Sequence, residues 1–91
     1  METKPTIPVD VRRPEEFVLG HLPGAVNISL EEHPDYLEQL ITLSERNQLL
    51  IYCYSGVRSA YIQSLLETKY DIEAGHLEGG LMLYQGPLET T

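Results

Sequence analysis

Leu49-Leu50-Ile51-Tyr52-Cys53-Tyr54-Ser55-Gly56-Val57-Arg58-Ser59 is the stretch on which the fold turns. Its first five residues are apolar without alternation, the pattern of a parallel strand buried on both faces. The run stops at Cys53. Residues 54–57 then read as a small polar loop, and a helix is expected from about residue 58 to 68, with Tyr61, Ile62, Leu65 and Leu66 facing inward. A buried strand, a tight loop and a helix make half of a βαβ unit.

Working outward, residues 7–11 form a β-branched run bounded by Pro8 and by Arg12-Arg13-Pro14, and read as another strand. Pro14 suits the first position of a helix, Glu15 and Glu16 suit its positive end, and Gly20 ends it. Pro23-Gly24 marks a turn before a strand over 25–28. Pro34 and Asp35 open a further helix, whose Tyr36, Leu37, Leu40, Ile41 and Leu43 make an apolar core stripe. Downstream, residues 72–77 are a weaker strand candidate, Gly79-Gly80 breaks it, and 81–84 can make a last helical turn. The tail from Gly86 is expected to be loose. Strands alternating with helices indicate an α/β fold with a parallel sheet, whose ligands bind at the carboxyl ends of the strands. That directs attention to Cys53.

Composition narrows the function. A length of 91 residues is one domain, and a 42% hydrophobic content supports a packed core. The single cysteine allows no intramolecular disulfide and suits a reducing compartment. His21, His33 and His76 are scattered with no second thiol, so neither a metal cluster nor another cofactor is expected. Six basic against 14 acidic residues give a formal charge of −8, which opposes nucleic-acid binding. No apolar run approaches the ~20 residues of a membrane span, and the first residues lack the apolar core of a secretory signal. With Met1 as the native start, the expected location is cytoplasmic.

The loop after Cys53 has the makings of an anion site. Ser55 and Gly56 let it close tightly, and Gly56 can adopt positive φ. Backbone N–H groups turned inward, the dipole of the following helix and the Arg58 guanidinium all favour negative charge. Comparable settings lower a cysteine pKa to roughly 3.5–7.5, so Cys53 is expected to ionise near neutrality. A cysteine at a strand end is also often a small buried apolar residue, and the local pattern alone leaves both readings open.

Several segments together resemble the rhodanese domain. They are Val9-Asp10-Val11-Arg12 with Pro14-Glu15-Glu16-Phe17, then Gly20-His21-Leu22-Pro23-Gly24-Ala25-Val26-Asn27-Ile28, then Leu50 through Ser59, and finally Leu77-Glu78-Gly79-Gly80. Their order is that of the family, and they span about residues 7–84. The resemblance implies a compact single domain over 1–91 with about four strands. It implies a sulfurtransferase in which the Cys53 thiolate takes the outer sulfur of a donor such as thiosulfate and passes it to cyanide or a thiol. Tyr54, Ser55, Gly56, Val57 and Arg58 become the substrate-binding loop. Four residues separate Cys53 from Arg58, the shorter spacing that sets sulfur transfer apart from the related phosphatase-like loop. Tyr54 and Val57 stand where many members carry basic residues. The loop keeps one cation, Arg58, which argues against strong thiosulfate binding. A less charged donor, or a protein donor or acceptor, becomes a partner class to consider. A sulfur carrier or docking module within a relay complex is the alternative to an enzyme. An inactive regulator is a third reading, opposed by the presence of Cys53. Asp10 and Arg12 are expected to organise the domain by pairing with backbone and each other, and His21 to make a stabilising hydrogen bond. His76 is expected on or beside the last strand without a chemical role. Gly79 and Gly80 are expected to permit a tight turn near the loop.

Overall fold

The computed structural model describes residues 4–32 and 34–90; the readings of Met1 and His33 lie outside them. Among the described residues, the chain runs β1 (Thr6–Asp10), α1 (Pro14–Leu19), β2 (Val26–Asn27), α2 (Tyr36–Ser44), β3 (Gln48–Tyr52), α3 (Val57–Tyr70), β4 (Gly75–His76) and α4 (Gly80–Leu83). The strands form one sheet in the order β2-β1-β3-β4, and every pairing is parallel. This is the four-stranded parallel α/β architecture that the alternating pattern predicts.

Topology locates the site. The chain leaves β1 for one edge of the sheet and leaves β3 for the other. The carboxyl ends of β1 and β3 therefore flank the point where the strand order reverses, the place where open α/β sheets bind ligands. Register holds these ends level, with Asp10 opposite Tyr52, and the Val11 N–H donates to the Tyr52 carbonyl at 3.0 Å.

Val9, Val11, Leu40, Leu49, Ile51, Ile62 and Leu66 are buried and share one core cluster, with Tyr36, Leu37, Ile41 and Leu43 of the α2 stripe packed against it. Each fully buried aliphatic side chain contributes about 1.5–3 kcal/mol. Ile62 and Leu66 of α3 face inward, but Tyr61 is exposed, against expectation. The buried stripe of α3 runs through Ser59, Ile62 and Leu66, the i, i+3, i+7 face of a helix, and Tyr61 lies off it.

Two further expectations are corrected. The segment expected as a strand over 72–77 is strand only at Gly75 and His76, with the Leu77 N–H still donating to the Ile51 carbonyl at 3.0 Å; at its start the Ile72 N–H donates to the Leu66 carbonyl near the end of α3, also at 3.0 Å. The tail expected to be loose from Gly86 is tied back at Glu89. The Glu89 N–H donates to the His21 carbonyl at 2.8 Å and the His21 N–H to the Glu89 carbonyl at 2.9 Å, while the Glu89 carboxylate accepts the Gly24 N–H at 3.0 Å.

Candidate active site

Cys53 follows the last residue of β3, is 3% exposed and belongs to the core cluster. The chain must then reverse into α3 within three residues. Gly56 makes this possible with φ +93, a conformation costly for any residue with a Cβ. In that turn the Gly56 N–H donates to Cys53 Sγ at 3.1 Å, and Ser59 Oγ lies 3.8 Å from the sulfur. Burial pushes the thiol up. The backbone N–H groups of Ser59, Gly56 and Arg58 and the Ser59 hydroxyl outweigh it, and the net direction is below the ordinary thiol value. A mostly buried sulfur at the start of a 14-residue helix is thus held in an environment that favours its anion.

α4 braces this loop. The Leu81 N–H donates to the Cys53 carbonyl at 3.1 Å and the Met82 N–H to the Tyr54 carbonyl at 2.9 Å. Gly79 and Gly80 both have positive φ, and a Cβ on Gly80 would collide with those same carbonyls. The glycine pair therefore brings α4 against the loop, as its sequence position implied.

The other loop residues are arranged differently. Tyr54 and Ser55 are exposed, the Ser55 hydroxyl accepting the Val57 N–H at 3.4 Å. Val57 is 73% exposed. The Arg58 backbone supports the thiolate, but its guanidinium donates to Glu31 at 2.9 Å and stands 57% exposed. The arginine brought forward from the sequence as an anion binder is thus drawn toward an acidic side chain, itself within 3.9 Å of Arg13.

At the end of β1, Arg12 and Asp10 form a buried pair. Arg12 donates to both Asp10 oxygens at 2.7–3.1 Å, its backbone N–H to Asp10 Oδ1 at 2.9 Å, and its Nη2 to the Gly20 carbonyl at 2.7 Å. The pair anchors the turn after α1, the organising role expected of it. His21 behaves likewise: its ring is buried, stacks on Phe17 at 3.8 Å and lies 2.8 Å from the Phe17 carbonyl through Nδ1. Tyr52 is fully buried, and its hydroxyl accepts the Leu22 N–H at 3.1 Å. Burial holds that phenol well above its usual range.

Two contacts escaped the sequence reading. Ser59 directly follows Arg58 in the stretch that decides the fold, and a serine one turn into the helix can reach the sulfur, a signal that was readable. His76 is the other: its Nδ1 lies 3.4 Å from Ser59 Oγ, which no local pattern reveals. Among the described residues no three His, Cys, Asp or Glu side chains converge as metal ligands would, and no helix is long and apolar enough to cross a membrane.

A parallel sheet with a cysteine-bearing loop at its switch point is the arrangement of a rhodanese-like domain. Residues 1–86 match the family described as Rhodanese-like domain, and the chain belongs to that family. It is similar to a rhodanese-like domain protein from Staphylococcus aureus, with 33% identity and a TM-score of 0.76, covering 100% of this chain and 86% of that one. A rhodanese-related protein from Thermoplasma volcanium shares the fold at 22% identity and a TM-score of 0.79, over 94% of this chain and 85% of that one. Among curated relatives, the tRNA uridine(34) hydroxylases of Bacillus velezensis and Bacillus cereus are 34% and 30% identical over 87 residues. The match takes in 92% of this chain, which spans 27% of the length of those relatives.

Proposed function

We propose that the protein is a sulfurtransferase that carries sulfane sulfur on Cys53. The observation that carries this reading is the near-buried Cys53 sulfur receiving the Gly56 N–H at 3.1 Å at the start of α3. The thiolate attacks the outer sulfur of thiosulfate, the S–S bond of the donor breaks, and sulfite leaves with the bonding pair. Cys53 then holds a persulfide anion, which the loop N–H groups stabilise as they did the thiolate. Attack by cyanide on the terminal sulfur yields thiocyanate and restores the thiolate; a thiol acceptor takes the same sulfur as its own persulfide. Intact mass after incubation with thiosulfate tests the reading. A gain of one sulfur atom that a reductant reverses is expected, and an unchanged mass with thiosulfate and with a persulfide donor overturns it.

A second reading, a sulfur carrier fed by a less charged or protein-bound persulfide, is favoured by a specific observation. Arg58, the only cation in the loop sequence, is paired with Glu31, and Tyr54, Val57, Tyr61 and Met82 expose apolar surface. Loading of Cys53 by a low-molecular-weight persulfide far faster than by thiosulfate selects this reading. The names of the curated relatives point to tRNA chemistry in proteins nearly four times as long. In that context a chain of formal charge −8 suits sulfur handling or protein docking better than a grip on a phosphate backbone. A location in the cytoplasm agrees with the free thiol.

A further inference from the structure

The Ser59 hydroxyl has one proton to give and two lone pairs to receive with. It sits among three partners: the Gly56 carbonyl at 3.2 Å, Cys53 Sγ at 3.8 Å and His76 Nδ1 at 3.4 Å. The Gly56 carbonyl already accepts the Ala60 N–H at 3.1 Å, a helical bond, so it does not depend on Ser59. While Cys53 is a thiol, its S–H donates to Ser59 Oγ and the Ser59 proton can rest on Gly56. Once Cys53 ionises, the sulfur becomes an acceptor and Ser59 Oγ loses a donor. The hydroxyl proton then has a reason to turn to the sulfur, provided another group donates to its oxygen. A bare Nδ1 would do the opposite and draw the proton away.

We propose that His76 is a positioning residue for the Cys53 sulfur: its Nδ1–H donates to Ser59 Oγ and directs the Ser59 hydroxyl at Sγ. The inference rests on Cys53 being the reacting group, as in the proposed function, and extends the thiolate's support from α3 to β4. It also answers the placement of Arg58. With that guanidinium held by Glu31, the relay brings donor character to the sulfur from β4 through Ser59. A protonated imidazole donates more strongly than a neutral one. Around the ring, Cys53 comes from β3 through Ser59. From α3 comes the neutral Ser59 at 3.4 Å; Gln63 of the same helix is spent on the Ala74 carbonyl at 2.7 Å, and on its own segment the exposed Glu78 follows.

The test is the rate of Cys53 alkylation by iodoacetamide followed against pH, a reaction that needs no sulfur donor, so that its result stands apart from whether thiosulfate is turned over. His76→Leu is expected to raise the inflection by about 0.5–1 pH unit, the effect of one lost hydrogen bond. Ser59→Ala should raise it at least as far. The double variant should match Ser59→Ala alone, since His76 acts through that hydroxyl. His76→Asn, which keeps an N–H near the position of Nδ1, should restore most of the wild-type profile. If His76→Leu does not fold, His76→Phe carries the same expectation, with a ring and no donor. An inflection in the donor-less variant equal to that of wild type overturns the proposal, as do shifts that add in the double variant.

Discussion

Arg12 and Arg58 leave the carboxyl ends of adjacent strands and are treated in opposite ways. Arg12 is buried, chelates Asp10 and also binds the Gly20 carbonyl. Arg58 reaches outward to a single carboxylate, Glu31, and remains more than half exposed. A buried guanidinium held through Nε and Nη2 has little freedom to serve a ligand, and removing its carboxylate partner strands a charge. An exposed one held by a solvent-screened partner is released at little cost. The contrast teaches that partner count and burial, more than charge or nearness to the loop, separate the arginine that builds the domain from the one that can meet a substrate.

The sharpest break in the comparison comes from the sulfur itself. Cys53→Ser should reduce sulfite release from thiosulfate and thiocyanate formation to background while the urea midpoint stays close to wild type. Activity at the wild-type rate would remove Cys53 from the chemistry. Next in size is Asp10→Ala. It leaves Arg12 buried and uncompensated, and should cost about 3–5 kcal/mol in urea unfolding. Glu31→Ala, the matching change at Arg58, should cost about 0–1 kcal/mol. Equal losses at the two positions would erase the distinction.

Arg58→Ala then separates structure from binding. If the thiosulfate dianion is the working donor, a charge-assisted hydrogen bond worth about 1.5–3 kcal/mol disappears, and kcat/KM should fall roughly 10- to 150-fold. Glu31→Gln should move it the other way by freeing the guanidinium. Unchanged kinetics in both variants would leave the backbone amides as the anion site. The smallest effect concerns pH. The folded-state thiol titrates below the ordinary thiol value that the unfolded chain has, so between the two the unfolded chain binds more protons and stability rises with pH. That increment is complete above the unfolded value and is lost as pH falls through the folded one. Cys53→Ser should flatten this slope in urea titrations run across the interval.

What was legible in the chain was whatever local patterning determines. The apolar run ending at Cys53 gave β3 because a strand buried on both faces needs no alternation, and Gly56 marked the turn because few other residues tolerate its φ. Asp10, Arg12 and His21 were read correctly as organisers. Apart from Ser59, whose reach to the sulfur is local, the misses depend on distant packing or partners. Apolar spacing points Tyr61 inward because spacing alone does not orient a helix against its sheet. Composition makes the tail look loose because its bond to His21 crosses most of the chain. Glu31 lies 27 residues from Arg58, and His76 lies 17 from Ser59. The Ser59–His76 contact follows from the packing of α3 on β4, and the Glu31 and Glu89 contacts join segments far apart in the chain, which no motif reveals.

The bonds from α4 to the Cys53 and Tyr54 carbonyls have a dielectric consequence. Neither peptide group can turn over without losing its partner, so neither of these two carbonyls can swing toward the sulfur as its charge changes. In water, each change from thiol to thiolate to persulfide would be met by reoriented solvent dipoles. Here the dipoles are already set, and the reorganisation energy of the sulfur's cycle falls on the few groups still free to rotate. The Ser59 hydroxyl, 3.8 Å from the sulfur, is one of these, so in the proposed cycle the rotation of a single O–H bond is a relaxation the site can make cheaply.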